Sequence, residues 1–463
     1  MSCAKEIVQS FPASSMLSPG DAKILLRKHE IQPSAADQSS GPSTYHTLAC
    51  LCIIANLGTA GILFVRREDE HLEHLLNISV IALSANFCAC VAIRNDHVIN
   101  TISRIACSLP QSAPIYIRIV AARVYCHGGV HSGCAISGSF WYIVFTCLCF
   151  LVPQGTPAIQ LGLTFVSGMA LLLLATILIF SHPLMRARFH NLFETIHRFL
   201  GWSFVVVLWI QTLLMNLTGA DRNRHMFTQR LVLSPAFWLL LVITVLLVYP
   251  WTRLRLCAVK SERLSDRVLR LTVAGVMEQP CMTRRFATIP LKETHAFATI
   301  PSKDSTAYAV YVCAAGDWTK MLTNKLPEKI WIKGCPTYGA TYSSSLFRKV
   351  LFVTTGSAIA PVLSVIQSRP VCQTTVLWIT KDPLCMFDTK LLQELEAHGK
   401  NLFVVNRGHA DIGPEEISAL AYALHHETQS EAVYVISNRI VTDSVKSNLE
   451  RNNVPVFGPI FDS

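Results

Sequence analysis

Six stretches of the chain contain no Asp, Glu, Lys or Arg: Tyr45–Val65, Leu75–Ile93, Ser132–Val152, Ala158–Ser181, Phe199–Thr218 and Leu231–Tyr249. Each is 19 to 24 residues long. A bilayer core of about 30 Å takes roughly 20 apolar residues at 1.5 Å each, so the pattern predicts six transmembrane helices within residues 45–252. One such run can be a buried helix of a soluble core; six in succession point to a membrane. The second run is the least apolar, with Asn77, Ser79, Ser84 and Asn86. Past Tyr249-Pro250-Trp251 the pattern changes. Residues 253–346 carry short β-rich runs, "RVLRLTV" (267–273), "AYAVYVC" (307–313) and "EKIWIK" (328–333), broken by turn residues as in a small antiparallel β-barrel. Residues 347–463 alternate apolar strands ("KVLFVTT", "TTVLWIT", "NLFVVN", "AVYVIS") with helical segments, which reads as βαβ units on a parallel sheet. Such sheets bind ligands beyond the carboxyl ends of their strands. The expected fold is a multi-pass, six-helix α-helical membrane domain, then an antiparallel β-barrel domain, then an α/β parallel-sheet domain. Residues 1–44, with Ser, Pro, Gln and Ala prominent, read as a flexible cytosolic tail and not as a signal peptide.

Charge orients this scheme. Only 15% of residues are charged, against roughly 25% in an ordinary soluble domain. The net charge of +10 is carried beside the spans, which makes nucleic acid a poor explanation of it. Arg94, Arg104, Arg118 and Arg123 lie between spans two and three, Arg186, Arg188 and Arg198 between four and five, and Arg253, Arg255, Lys260 and Arg263 after six. Cytoplasmic loops are rich in Lys and Arg, so both termini and the soluble third are expected in the cytosol. Arg66 and Arg67, and Arg222, Arg224 and Arg230, sit on the opposite side and weaken the bias. The sixteen cysteines contain no C-x-x-C pair, and many lie within spans, where cysteine behaves as a small apolar residue. No general acid–base or nucleophilic constellation stands out, so no catalytic residue is assigned.

One segment repeats. Thr283-x-x-Phe286-Ala-Thr-Ile-Pro290-x-Lys292 is followed at once by Thr294-x-x-Phe297-Ala-Thr-Ile-Pro301-x-Lys303. Only the second copy leads into a strand and then "AAGDWT". The combination resembles the flavin-binding signature of the ferredoxin-reductase and ferric-reductase superfamily. That resemblance implies FAD against His295, Phe297, Ala298, Thr299 and Ile300, with its pyrophosphate at Gly316 and Thr319. It leaves the first copy as an adjacent loop or strand; the alternative is a slipped register in which Phe286 supplies the flavin wall. Further likenesses follow in order. "WIKGCPTYG" (331–339) resembles the turn that ends a flavin domain. "VLFVTTGSAIAPVLS" (350–364) resembles a nicotinamide-nucleotide turn, implying contacts from Gly356, Ser357, Ala358 and Pro361. "LWITKDP" (377–383) resembles the strand end at the adenosine ribose or its 2′-phosphate, implying Thr380 and Lys381.

Together with "HNLFETIHRFLGW" (190–202), "AVYVISN" (432–438) and the ending "FGPIFDS", these motifs resemble the fungal integral-membrane flavoprotein family of the TmpA type, related to ferric reductases and NADPH oxidases. The likeness covers residues 45–463. It implies a membrane-bound, FAD-dependent oxidoreductase that passes electrons from NADPH to an unidentified acceptor on the cytosolic face. It divides the chain into the tail (1–44), the membrane domain (45–252), a FAD-binding barrel (253–346) and an NAD(P)-binding domain (347–463).

Three departures from the family pattern matter. Ile436-Ser437-Asn438 stands where reductases commonly place Cys-Gly-Pro near the site of hydride transfer and supplies no thiol, a trait the TmpA-type family shares. Ala358 stands where glycine is expected, and its Cβ either blocks a left-handed backbone or holds the phosphate off. Lys381 replaces an arginine and keeps charge for a 2′-phosphate without the bidentate fork. Haem is a separate question. Ferric reductases hold two stacked haems with histidine pairs 13 or 14 apart on two helices. Here that spacing leads from His127 to Phe140 and Trp141, from His131 to Val144 and Phe145, and from His197 to Ile210 and Gln211. What is left is either a single haem, with one ligand from His127 or His131 and one from His190 or His197, or no haem, with these histidines meeting headgroups or neighbouring carbonyls at the interface as histidines near span ends usually do. Gly128, Gly129 and Gly133 argue against a helix reaching back over the first pair. The alternatives to the main reading are therefore a haem-containing transmembrane metalloreductase or NADPH oxidase, and a non-catalytic FAD or nucleotide sensor disabled at Ala358.

Overall fold

The computed structural model describes residues 43–65, 71–152, 154–217, 224–275, 279–302, 306–368, 373–383, 387, 389–396, 401–407 and 412–460. The tail reading lies outside these residues, apart from its last two positions, and so do Lys303 and the chain's last three residues.

Ten helices come first: α1 (Thr44–Val65), α2 (His71–Ala92), α3 (Asp96–Cys107), α4 (Ile115–Ala122), α5 (Gly128–Leu151), α6 (Pro157–Ser181), α7 (Pro183–Arg188), α8 (His190–Leu217), α9 (Arg224–Leu233) and α10 (Pro235–Thr252). Among the described residues six helical segments are long and apolar enough to cross a membrane; they cover five of the charge-free runs to within one residue, and the sixth run from Pro235 on. The polar residues of the second run are accounted for by packing. Ser79, Ser84 and Asn86 are buried, and Asn86 exchanges hydrogen bonds with Asn56, whose side-chain oxygen also accepts from Trp141 Nε1 at 2.9 Å. In an apolar bundle such polar pairs fix register, because an unpaired amide there is costly.

The glycines before span three do not keep the helix from reaching back over His131, contrary to expectation, though it stops one residue short of His127. α5 starts at Gly128, after a 3-10 turn over Arg123–His127. Its glycine face packs on α1: a Cβ at Gly133 would stand 2.6 Å from the Ala49 carbonyl oxygen, and one at Gly129 would stand 2.1 Å from that of Tyr45. Close backbone approach outweighs low helix propensity, as in small-residue helix contacts in membranes. Gly133→Ala is therefore expected to cost about 1–3 kcal/mol by overpacking. Gly168→Ala, where nothing lies within 4 Å, is the matched control. Thermal midpoints of the two purified variants check this; equal midpoints would contradict the close contact.

Next come β1 (Arg255–Ala258), β2 (Lys260–Arg263), β3 (Val268–Ala274), β4 (Met282–Ala287), β5 (His295–Ala298), β6 (Ile300–Pro301), β7 (Ala307–Cys313), α11 (Asp317–Lys325) and β8 (Lys329–Tyr338). They form two four-stranded antiparallel sheets, β1-β8-β4-β5 and β2-β3-β7-β6. The expected barrel is not closed: among the described residues no ladder joins the sheets. The chain instead passes from one to the other at two corners, Val259 and Thr299. The sheets share one apolar core that includes Leu269, Leu271, Phe286, Val310, Trp318 and Ile332. "GCPTYG" is not a free turn either, since Gly334–Tyr338 belong to β8.

The last module holds β9 (Val350–Thr355), α12 (Ala360–Ile366), β10 (Thr374–Thr380), α13 (Thr389–Glu396), β11 (Leu402–Asn406), α14 (Pro414–Thr428), β12 (Ala432–Ile436), α15 (Arg439–Arg451) and β13 (Val456–Phe457). All five strands are parallel, in the order β11-β10-β9-β12-β13. The chain winds outward from β9 to β11 and then returns to β12 on the other side of β9. That reversal is a topological switch point, where such sheets open a crevice at their carboxyl ends.

The connection between α2 and α5 seats both soluble modules. Asp96, 2% exposed, accepts from Arg285 Nη1 at 2.9 Å and from the Cys335 amide at 2.9 Å. Asn100 accepts from the Tyr338 amide and donates to the Pro336 carbonyl. Arg118 reaches the last module, with Glu431 at 2.7 Å and the Leu346 carbonyl at 2.9 Å. Burial alone would raise the Glu431 carboxyl; hydrogen bonds from Arg118 and the Arg348 amide outweigh it and hold the group below its usual range. Arg118, read from the sequence as loop charge, is thus also a docking residue.

Candidate functional site

The two copies of the repeat lie side by side. β4 and β5 pair antiparallel, with Arg284 opposite Phe297 and Phe286 opposite His295. Each copy has its own role. In the first, Arg285 binds Asp96 and Phe286 is fully buried in the β core. Phe286 is therefore no flavin wall, and the slipped-register alternative falls. In the second copy Phe297 and Ala298 are only partly buried. Phe297 stacks against Trp318 at 6.0 Å between ring centroids, and His295 lies 4.3 Å from the same indole.

This aromatic group carries two buried polar atoms, His295 Nε2 and Trp318 Nε1, with no hydrogen-bond partner among the described residues. Buried polar atoms in native proteins are normally paired, so the pair marks a place for a polar-edged planar ligand. Burial depresses the His295 pKa despite the nearby Glu194 and Glu293 carboxylates, so the ring is neutral at pH 7. These residues fit a flavin ring system.

Three neighbours fit less directly. Thr299 is fully buried, and its hydroxyl donates to the Met282 carbonyl; it holds the corner between sheets and offers nothing to a ligand. Ile300, 6% exposed, belongs to the apolar core beneath α12. The Thr319 hydroxyl accepts from the Ala315 and Gly316 amides and donates to the Gly316 carbonyl, closing the first turn of α11. Gly316 itself is open, with nothing within 4 Å of a Cβ placed there.

At the switch point β9 runs into a 3-10 turn, Gly356–Ile359. Gly356 has φ +52°, and its carbonyl accepts from Trp378 Nε1 at 2.9 Å. The left-handed position is therefore Gly356. Ala358 lies in the right-handed turn, and its Cβ cannot be blocking a left-handed backbone; only the stand-off from a phosphate remains of the expected defect. Ser357 shares the turn, and Pro361 opens α12, where its missing N–H is harmless. Thr355 Oγ1 and Ser437 Oγ meet at 2.5 Å across the crevice.

At the end of β10, Thr380 is buried while Lys381 is exposed. The register that pairs Thr380 with Asn406 brings Arg407 to the same edge, also exposed. Arg407 escaped the sequence reading. Like Ser437 it is the first residue past a strand of the parallel sheet, which was the available signal.

The two halves meet. α12 packs against β5 and β6, and the Cys281 amide donates to Ser364 Oγ at 2.7 Å. A cavity of about 180 Å³ opens on this seam, lined among others by Arg270, Ile300, Tyr308, Tyr311 and Gln367. Of the four candidate haem ligands, the structure brings two together. His131 on α5 and His197 on α8 have ring centroids 6.0 Å apart, and His131 Nδ1 bonds the Cys90 carbonyl at 2.8 Å. His127 instead faces the Val124 carbonyl, and His190 is exposed beside Glu194.

Comparison with known proteins finds similarity to proteins named as reductases. Residues 340–463 match the C-terminal domain of the family described as adenylate-forming reductase 03009. Two curated relatives from Coprinopsis cinerea resemble nearly the whole chain. Adenylate-forming reductase 03009 is 35% identical over 425 residues, 91% of this chain and 40% of its own length. Adenylate-forming reductase 06235 is 34% identical over 424 residues, 90% of this chain and 40% of its own length. The chain thus spans less than half of the relatives it matches. Among solved structures, a ferredoxin NADP+ reductase from Neisseria gonorrhoeae with bound FAD and NADP overlaps at a TM-score of 0.36 and 12% identity, over 44% of this chain and 98% of that one. A flavohemoglobin from Malassezia yamatoensis overlaps at 0.36 and 13%, over 83% and 98%. Overlaps of this size do not define a shared fold.

Proposed function

We propose that the chain is a membrane-bound, flavin-dependent oxidoreductase. It takes a hydride from NADPH and delivers electrons to an acceptor on the cytosolic side, where both soluble modules sit. The observation that carries this reading is the packing of α12, which leaves the Gly356 turn at the switch point, against β5, which presents Phe297 beside two orphaned nitrogens. His295, Phe297, Ala298 and Gly316 would hold FAD. Gly356, Ser357, Ala358 and Pro361 would receive the dinucleotide, with Lys381 and Arg407 at the 2′-phosphate. FAD bound there supplies the exchange of a hydride for electrons passed onward. The protein's part is to align the two planar groups, with Thr355 and Ser437 fixing the crevice between them. In this reading the six helices cross the bilayer and the relation to ferric reductases is one of modules.

The side of delivery is testable. In sealed vesicles with the soluble modules outward, NADPH should reduce an added external acceptor and leave an impermeant acceptor trapped inside oxidised. Reduction of the trapped acceptor without a mobile carrier would contradict this. A second reading has one observation in its favour. Two imidazoles sharing one metal through bonds of ~2 Å stand with their centres about 6 Å apart, which is the His131–His197 spacing. His131 also shows the second-shell hydrogen bond typical of a metal ligand. These two would hold a single haem, and an intense Soret band that is lost in His197→Ala would establish it.

The nucleotide edge gives its own prediction. Lys381→Ala and Arg407→Ala should each raise KM for NADPH about tenfold while changing KM for NADH little, since a charged hydrogen bond is worth about 1.5–3 kcal/mol. Equal effects on both nucleotides would remove these residues from the 2′-phosphate.

A further inference from the structure

Between the bundle and the β module lies a cluster of cations with little to balance it. Arg94 follows α2, Arg198 lies on α8, and Arg285 and Lys333 come from β4 and β8. Desolvation by burial first, and then the nearby Arg285, pushes the pKa values of Arg94 and Lys333 down. Asp96 lies among them, and it is taken: Arg285 holds one oxygen and the Cys335 amide the other. Glu194, one turn from Arg198 on α8, pairs with His190. Arg94, Arg198 and Lys333 have no carboxylate within salt-bridge distance among the described residues. Arg198 donates to two backbone carbonyls, Leu291 at 2.9 Å and Lys292 at 2.6 Å. Lys333 Nζ lies 3.5 Å from the centre of the Trp251 ring, which packs edge-on against Trp202. Burial, more than the neighbouring arginines, brings Lys333 down to about 8. Arg94 keeps exposed surface and the others are partly exposed, so the group is not a buried charge; its like charges repel one another, and an anion joining them is favoured.

We propose that this cluster, in which Arg285 and Lys333 face each other across paired strands, binds a phosphate group, supplied by the head of an acidic phospholipid, which bridges the membrane helices and the β module. Phosphate is favoured over a carboxylate because several donors must be met from several directions by one group with more than one charge. A lipid source is favoured by position. The cluster lies where helices end, beside a tryptophan pair of the sort that marks a membrane interface. Basic pockets between helices on the cytoplasmic side are known sites for acidic head groups. The proposal is independent of flavin chemistry.

The full-length protein, in nanodiscs of phosphatidylcholine alone or doped with phosphatidic acid, tests this by its thermal midpoint. Phosphatidic acid should raise the midpoint by several degrees, as any ligand of the folded state does. The gain should vanish in Arg94→Gln/Lys333→Gln, persist in Arg94→Lys, and persist in the surface control Arg439→Gln. A second arm adds inorganic phosphate to detergent-purified protein. If it stabilises as much as the lipid and loses its effect in the double variant, the phosphate site stands and its source is soluble. If neither phosphatidic acid nor phosphate moves the wild-type midpoint, the proposal is overturned, whatever the variants do. The same ligand should suppress a pH effect. A lysine held at about 8 is protonated more readily in the unfolded chain, so stability without the anion should rise as pH climbs from 8 towards 10.

Discussion

Phe286→Ala should unfold the β module, whereas Phe297→Ala should leave it folded and strip it of flavin. The two phenylalanines occupy the same place in two copies of one motif, yet the first is fully buried and the second is not. Truncating a buried phenylalanine costs about 3–5 kcal/mol, a large part of the stability of an ordinary domain. Phe286→Ala is thus expected to lower the thermal midpoint sharply and to lose flavin as a consequence. Phe297 lines the ligand side, so its truncation should cost about 1–2 kcal/mol of stability while flavin content falls. Thr299→Ala should resemble the first case more than the second, because its hydroxyl serves the corner between the sheets. Midpoint and flavin content, measured together on each variant, separate the effects. Flavin loss in Phe286→Ala without a shift in midpoint would reverse the assignment of the copies.

Gly356→Val should slow flavin reduction by NADPH at least about tenfold while leaving bound flavin in place. A left-handed backbone costs an ordinary residue roughly 1–2 kcal/mol, and a β-branched one more. Relief of that strain moves the carbonyl that accepts from Trp378 and displaces the turn at the head of the crevice. Ala358→Gly is expected to change the rate by less than about threefold, since it removes only a methyl's stand-off from the phosphate. Rapid-mixing kinetics over a range of NADPH concentrations give both values. A larger effect at Ala358 than at Gly356 would show that the turn binds differently.

The outline of the fold was legible because it rests on local patterns. Six charge-free runs, a change to short β segments after Trp251 and alternating strands and helices after Phe347 each leave a periodic trace. The repeat was legible as two copies, but not as a paired hairpin with divided roles. Arg285 gives no local sign that it will meet Asp96, nor Arg118 that it will meet Glu431, because such pairs join distant segments and follow no period. The glycines before span three misled for the same reason: their helix propensity is local, while the contact with α1 that favours them is not. Ala358 was judged by its place in a motif, and only the backbone angles show that the left-handed residue is two positions earlier. Lys381 was found as the end of a strand, but its neighbour Arg407 needed the register of the sheet.

The most direct test of the account is an anaerobic titration of the purified full-length protein with NADPH, followed by absorbance. The account predicts oxidised-flavin bands in the resting protein, close to one flavin per chain, bleached by a stoichiometric amount of NADPH. It also predicts that Phe297→Ala loses the bands and that Gly356→Val keeps them but bleaches slowly. A well-folded protein that carries no flavin, or whose flavin NADPH does not reduce, would contradict it.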